Sequence, residues 1–426
     1  MTFSTLGLSP ALLAAVTQLG HSSPTPIQQG AIAPALAGRD VLGSAQTGSG
    51  KTLAFALPLL QRLQPNTNRV RQAQALVLVP TRELAAQVGE VIQALAQKLP
   101  QRIKVSVFFG GVSINPQMMG LRGGTDVVVA TPGRLLDLLA HNALKLDQVA
   151  MLVLDEADRM LDLGFADELA QLLATLPAQR QNLFFSATFS PAVTALANTL
   201  LQDAVRVEVD AAQQQPVEII QRAIAVDTAK RTQLLRHLIK QNAWPRALVF
   251  VATKFAAEIV ADKLRKGGLT AEPFHGELSQ GKRTQVLTDF KAERLQVVVA
   301  TDVAARGLDI AGLPVVVNFD LPRSTQDYTH RIGRTGRAGE PGLAVSFVSS
   351  TTQAHWRLIE KRQQVQLAME SVPGFEAQEV PPPASTSPDA PAGEGSGGVK
   401  GKRPSKKDKL RAAAATAPAA KAQPVH

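Results

Sequence analysis

From Ala75 onward the chain alternates short, continuously apolar runs with stretches whose apolar residues recur at helical spacing. The runs are ALVLV (Ala75 to Val79), VSVFFGG (Val105 to Gly111), DVVVATPGR (Asp126 to Arg134), MLVLDEAD (Met151 to Asp158) and NLFFSAT (Asn182 to Thr188). Each is long enough for one strand and has no polar face, the pattern of a parallel sheet covered on both sides. Between the first two, Leu84, Val88, Val91, Leu95 and Leu99 fall on one face of a helix. Such alternation predicts α/β architecture with mainly parallel sheets. Upstream, Ser9 caps a helix with Pro10 in its first turn and Leu12, Leu13, Val16 and Leu19 along one face, ended by Gly20. Pro24 to Gln28 read as a stiff turn.

The second half of the chain repeats the first. ALVFVATKFAAEIV (Ala247 to Val260) echoes ALVLVPTRELAAQV 172 residues later, and VVVATDVAAR (Val297 to Arg306) echoes VVVATPGR 170 residues later. Phe274 to Gly276 matches Phe109 to Gly111, and Val315 to Val317 falls where Leu152 to Leu154 would recur. This ladder predicts two tandem copies of one domain, at 1–209 and 217–370. A polar linker, 210–216 (DAAQQQP), joins them, and 371–426 forms a disordered tail rich in Pro, Ala, Ser and Gly.

Composition narrows the function classes. The 426 residues contain no cysteine, which excludes disulfides, thiolate metal sites and a cysteine nucleophile. No Lys or Arg precedes Arg39 and no apolar run approaches the roughly 20 residues of a membrane helix, so a soluble, cytoplasmic protein with no membrane partner is expected. The formal net charge of +10 points to a polyanion. From Lys400 the tail holds eight Lys or Arg against one acid, Asp408, a composition that adds non-specific affinity for nucleic acid.

Three groups of residues carry chemistry. GSAQTGSGKT, Gly43 to Thr52, follows Val41 and Leu42 and leads into an apolar helical stretch. Its glycines, Gly48 and Gly50 among them, let successive N–H groups of Ala45, Gln46, Thr47 and Ser49 turn inward as a phosphate cradle. Lys51 would reach the terminal phosphates and Thr52 would hold Mg²⁺. The acidic pair Asp155 and Glu156 ends an apolar run, as the complement to a phosphate loop does: Asp155 for the Mg²⁺ shell, Glu156 to orient the attacking water. The same two acids could also simply cap a helix. The second copy has no phosphate loop but carries HRIGRTGR, with Arg331, Arg334 and Arg337 as candidate arginine fingers or as an RNA-facing basic loop.

Thr81, Thr131 and Thr301 each follow a run and open a helix, with Arg82 and Arg134 nearby. Helix N-termini at the carboxyl ends of parallel strands form a row suited to successive phosphates of one nucleic-acid strand. Aromatic residues make up only 4% of the chain, which argues against a base-stacking platform and for sequence-independent contacts.

Asp155 to Asp158 reads DEAD. With AQTGSGKT, PTREL, TPGR, SAT, ATDVAARGLD and HRIGRTGR in that order, residues 3 to 350 closely resemble the DEAD-box RNA helicases, and the short basic tail resembles the bacterial RhlE branch. The resemblance implies two RecA-like domains, ATP with Mg²⁺ as cofactor, RNA as partner and local ATP-dependent duplex unwinding; ribosome-assembly or RNA-decay proteins are expected partners. It places Phe3 and Gln28 in an adenine-reading segment, 3–28, and Asp309 at the ribose. Arg334 and Arg337 become the arginine fingers. Asp158, Ser186, Thr188 and His330 couple the acidic motif to the rest of the cleft. Arg82, Gly111, Thr131, Arg134, Arg283 and Thr301 fall at RNA-binding positions, with Arg283 contacting RNA or supporting closure. Two other functions fit the same frame: an ATP-gated RNA clamp or assembly platform, and a DNA-directed translocase.

Overall fold

Each apolar run above contains a strand in the computed structural model, which describes residues 2–45, 48–65, 70–209, 219–305, 312–336 and 341–379. The first sheet comprises β1 (Val41–Ser44), β2 (Ala75–Leu78), β3 (Val105–Phe108), β4 (Val127–Ala130), β5 (Met151–Leu154), β6 (Gln181–Ser186) and β7 (Val205–Glu208), in the order β3-β4-β2-β5-β6-β1-β7. The second comprises β8 (Ile219–Ala225), β9 (Ala247–Val251), β10 (Ala271–Phe274), β11 (Val297–Thr301), β12 (Val315–Asn318), β13 (Gly342–Val348) and β14 (Met369–Glu370), in the order β10-β11-β9-β12-β13-β8-β14. Every pairing within the two sheets is parallel. Adding seven to each strand number of the first order gives the second, so the repeat in the sequence is a repeat of topology. The chain folds as two tandem RecA-like α/β domains.

The absence of a polar face on the strands has its physical reason in the layers. In β2, Ala75 and Val77 join a core beneath the helices Pro10–Gln18, Pro26–Leu36, Lys51–Arg62 and Arg82–Ala96, while Leu76 and Leu78 join the opposite core under Pro132–Ala140, Ala166–Ala174 and Pro191–Leu200. In β9, Val249 and Val251 pack against helices Arg231–Gln241 and Lys254–Lys266, and Leu248 and Phe250 face Gln280–Lys291. At about 25 cal/mol per Å² of apolar surface buried, these two-sided layers are the main stabilising contribution.

Two expectations are corrected. Pro24 to Gln28 is not a free-standing turn: Pro26 opens the helix Pro26–Leu36 and Gln28, at its third position, accepts the N–H of the capping residue Thr25 at 3.0 Å. A Thr followed three residues later by Gln is a helix-start signature that outweighs the two prolines. Nor does the ordered chain stop at residue 370. Val372 is buried, Phe375 lies 5.2 Å from the His237 ring, and Asp227 Oδ1 accepts the N–H groups of Gln378 and Glu379 at 2.8 and 2.9 Å. A polar composition hid that strap because its anchors are backbone groups. The linker 210–216 and the tail beyond residue 379 lie outside the described residues.

Candidate nucleotide cleft and strand-gripping face

The phosphate loop leaves β1 beside β6, where Ala45 N–H donates to Ser186 O at 3.2 Å, and ends in the helix Lys51–Arg62. Gly50 caps that helix at φ +91°, and a Cβ there would stand 2.5 Å from Gln28 Nε2 and 2.9 Å from Thr25 Oγ1. Only glycine meets both demands. Lys51 is buried, its Nζ donating to Ala45 O at 3.0 Å and standing 4.0 Å from Asp155 Oδ1. Gly48 and Ser49 precede the helix, and Thr52 is its second residue. Gln46 and Thr47 lie outside the described residues.

Asp155 Oδ1 is buried without a hydrogen-bond partner, and burial pushes the carboxyl up to about 6 against the pull of Lys51. An orphaned carboxylate oxygen beside a phosphate cradle fits a hard divalent cation, as does the Thr52 hydroxyl. Among the described residues no group of three or more His, Asp or Glu could hold a metal alone.

Glu156 follows Asp155 at φ +54°, a left-handed conformation that costs a non-glycine residue of order 1–3 kcal/mol. Its Oε2 accepts Arg159 Nη1 at 3.0 Å. Asp158 Oδ2 accepts both the N–H and the hydroxyl of Thr188, at 3.0 and 2.8 Å, while the Ser186 hydroxyl donates to Thr188 O at 2.8 Å. The acidic segment and the SAT segment are therefore one hydrogen-bonded unit.

That unit faces the second domain across a cavity of about 100 Å³, lined by Glu156, Asp158, Arg159 and Thr188 on one side and Thr329 and His330 on the other. Burial, Arg159 and Arg334 pull His330 down to about 4, and Asp158 and Glu156 only partly oppose them. The folded value lies below the ordinary 6.5, so the neutral ring stabilises the packed domains above pH 6.5 and that contribution is lost as pH falls toward 4. The fraction of molecules with domains together should drop over that window by fluorescence energy transfer. His330→Gln should flatten the drop, and a wild-type-like profile in that variant would remove His330 as its source.

The three arginines of HRIGRTGR separate. Arg331 is not a finger: at 2% exposure its Nε and Nη2 bind Asp302 at 2.6 Å each, and its Nη1 donates to Asn318 Oδ1 and Asp320 O. Its guanidinium also lies 4.8 Å from the centre of the Phe250 ring. Arg334 is buried beside His330 and Arg159, facing the first domain. Arg337 and the ribose candidate Asp309 lie outside the described residues.

The adenine-reading residues are placed differently from expectation. Phe3 is 6% exposed within the first domain's core, which leaves little ring face open for stacking. Gln28 is 2% exposed, and besides Thr25 it binds Gly50 O through Nε2 at 3.0 Å. One N–H and one lone pair of the carboxamide remain, so it ties its helix to the phosphate loop before it can touch a base.

On the neighbouring strands β3, β4 and β2, the carboxyl ends carry Gly111, then Thr131 with Arg134, then Thr81 with Arg82. The Arg82 guanidinium lies 2.1 Å from where a Cβ of Gly111 would be, so the glycine, at φ +75°, admits the arginine. Thr81 caps its helix by accepting Leu84 N–H at 3.3 Å, whereas Thr131 makes no side-chain cap bond. Buried Arg134 donates Nη2 to Val112 O at 2.8 Å, its Nε stands 3.5 Å from Asp137 Oδ2, and its Nη1 lacks a hydrogen-bond partner. A buried donor without an acceptor suits an anion. Thr301 ends β11 in the second sheet.

For Arg283, the contacts favour closure support over RNA contact, the two roles left open by the sequence. Its Nε and Nη2 bind Glu83 Oε1 at 2.8 and 2.7 Å, its Nη1 binds His275 O, and the group covers the Phe274 ring at 4.6 Å. No face is left for a nucleic acid; the residue straps the two domains together. Burial pulls its guanidinium below the ordinary value, with Glu83 opposing. Sequence reasoning missed Glu83, Arg159 and Asp302. Glu83 lies 200 residues from its partner and nothing local marks it.

Residues 25–196 match the DEAD/DEAH box helicase family and residues 229–339 the helicase conserved C-terminal domain. The ATP-dependent RNA helicase CshA of Listeria monocytogenes is 40% identical over 359 residues, covering 84% of this chain and 68% of that protein. Among solved structures, S. cerevisiae Dbp5 bound to RNA and ADP BeF3 is similar at TM-score 0.77 with 31% identity, covering 87% of this chain and 95% of that one. A variant of that yeast protein bound to Nup159, Gle1, IP6 and ADP reaches 0.58 at the same identity, over 87% and 96%. A relative this similar over so much of both chains decides the family: the protein is a member of the DEAD-box ATP-dependent RNA helicases.

Proposed function

We infer that this chain hydrolyses ATP in the cleft between its two domains and uses their closure to bend and locally separate short RNA duplexes. The observation that carries the reading is the meeting of the two domains at the acidic segment: Glu156, Asp158 and Arg159 share cavities with His330 and Arg334, and Asp155, next to Glu156, stands 4.0 Å from Lys51. The likeness to Dbp5 is greater for the form bound to RNA and ADP BeF3 than for the variant bound to Nup159, Gle1, IP6 and ADP, which supports a closed, strand-holding arrangement.

In this reading Lys51 and the loop N–H groups hold the phosphates, Thr52 and Asp155 would hold Mg²⁺, and Mg²⁺ when bound supplies charge neutralisation at the transferring phosphoryl group. Glu156 orients the attacking water once Arg159 releases its carboxylate. Arg334 and Arg337 stabilise the charge that develops. Thr81, Arg82, Gly111, Thr131, Arg134 and Thr301 grip sugar and phosphate, which positions RNA without reading its sequence. Stacking is worth about 1.4 kcal/mol per base-pair step, so a grip on a few nucleotides suits short duplexes.

We draw the domains at 1–209 and 217–379, place the protein in the cytoplasm on composition, and read the basic tail as RhlE-like, with RNA-decay or ribosome-assembly proteins as partners. No helix among the described residues is long and apolar enough to cross a membrane. ATPase and strand separation, measured side by side on RNA and DNA duplexes of graded length, test the reading; DNA stimulation without an RNA response would overturn it. Glu156→Gln should still bind ATP and RNA with turnover down at least about a hundredfold. Rapid turnover in that variant would remove Glu156 from its role.

A further inference from the structure

A second basic site lies at the opposite end of the first sheet from the nucleotide loop. A cavity of about 510 Å³ opens there, lined in part by Arg71, Gln93, Gln97, Gln101, Arg102 and Lys104. Lys104 immediately precedes β3, and Arg71 bridges to Gly124 ahead of β4, so these residues sit at the amino ends of strands whose carboxyl ends carry Gly111, Thr131 and Arg134. The volume falls within the roughly 300–1,000 Å³ usual for ligand sites.

The cavity has a charge of definite sign. Asp126 is buried and taken by Arg71 Nη1 and by Lys104 N–H at 2.7 Å. Lys104 Nζ donates to Gly120 O and Arg122 O, at 2.8 and 3.2 Å, which ties the Arg122 turn to the lining residue Lys104. Lys98 stands between the lining residues Gln97 and Leu99, and it, Arg102 and Arg122 are all exposed. The rim is thus cationic, while the wall carries Gln97 and Gln101, whose amides offer a donor and an acceptor each.

We propose that this cavity binds one nucleotide of the RNA strand outside the gripped segment, its phosphate on Lys98, Arg102 and Arg122 and its base edge against Gln97 and Gln101. The proposal rests on RNA occupying the cleft. Strand β3 is the open edge of the sheet and, at about 3.3 Å per residue, is about 13 Å long. At about 3.4 Å of axis per nucleotide, roughly four nucleotides cover that distance. The site would anchor a flank while the closing domains bend the strand between.

The test uses the full chain carrying Lys98→Gln, Arg102→Gln and Arg122→Gln, three exposed positions outside the cleft. Binding of a 6-nucleotide and a 20-nucleotide single-stranded RNA is followed by anisotropy against salt, with a non-hydrolysable ATP analogue present. The variant should match wild type in 6-mer binding and 6-mer-stimulated ATPase. It should bind the 20-mer about tenfold more weakly, with a log–log salt slope shallower by about 0.7, the value for one phosphate contact on a single strand. A 20-mer titration and slope equal to wild type would overturn the proposal. So would loss of AMP binding in the variant with 20-mer binding intact, which would make this a free-nucleotide site. Failure of the cleft reading shows elsewhere, as no ATPase response of the wild type to the 6-mer.

Discussion

Lys51→Ala should reduce ATP turnover by at least about 10²–10³, the cost of removing one preorganised charge from a transferring phosphoryl group. The ammonium lies in a buried pocket between Ala45 O and Asp155 Oδ1, an oxygen that has no hydrogen-bond partner among the described residues. Its removal therefore strips the cradle of its positive charge and leaves a buried acceptor unpaired. That second effect costs about 1–3 kcal/mol of stability. The two consequences separate experimentally. A melting curve reports the unpaired carbonyl, whereas steady-state ATPase at saturating RNA reports the lost phosphate contact. Turnover within a few-fold of wild type, in a variant that melts normally, would show that the loop holds no triphosphate.

Much of this fold is legible in the sequence because its signals are local. A run such as Val127–Ala130 is apolar on both faces for one reason, a layer on each side, and the duplicated ladder from Ala75 and Ala247 reappears as the same strand order in both sheets. The phosphate loop and the acidic segment are equally local, since each sits where a strand ends. The residues that join elements distant in sequence are not. Arg331 and Arg334 stand three apart in one basic stretch and look equivalent, yet Asp302, Asn318 and Asp320 consume the first while the second faces the other domain. Gln28 carries an amide suited to a base edge, but capping Thr25 and holding Gly50 take half its capacity. The same logic hid the strap at residues 371–379, whose anchor Asp227 lies some 150 residues upstream.

Arg283→Ala should shift the equilibrium away from the closed arrangement by about a hundredfold or more, with little effect on either domain alone. The pair Glu83–Arg283 spans the two domains with both side chains under 10% exposed, and it is buried only while they are together. When they part, each group returns to water and loses nothing. When they close without Arg283, Glu83 enters the interface unpaired, and an uncompensated buried charge costs about 3–5 kcal/mol. RNA-stimulated ATPase should fall with the closed fraction, and the melting temperature of the free protein should barely move. Because the chain has no cysteine, two introduced at exposed Asp167 and Lys263 can carry a donor and an acceptor dye without interference. The double variant Glu83→Ala/Arg283→Ala leaves neither charge stranded and should close more readily than Arg283→Ala. Equal energy transfer in wild type and Arg283→Ala, with RNA and an ATP analogue bound, would show that the strap does not hold the domains. A double variant no better than the single would assign the effect to the Arg283 contacts with Phe274 and His275 inside the second domain.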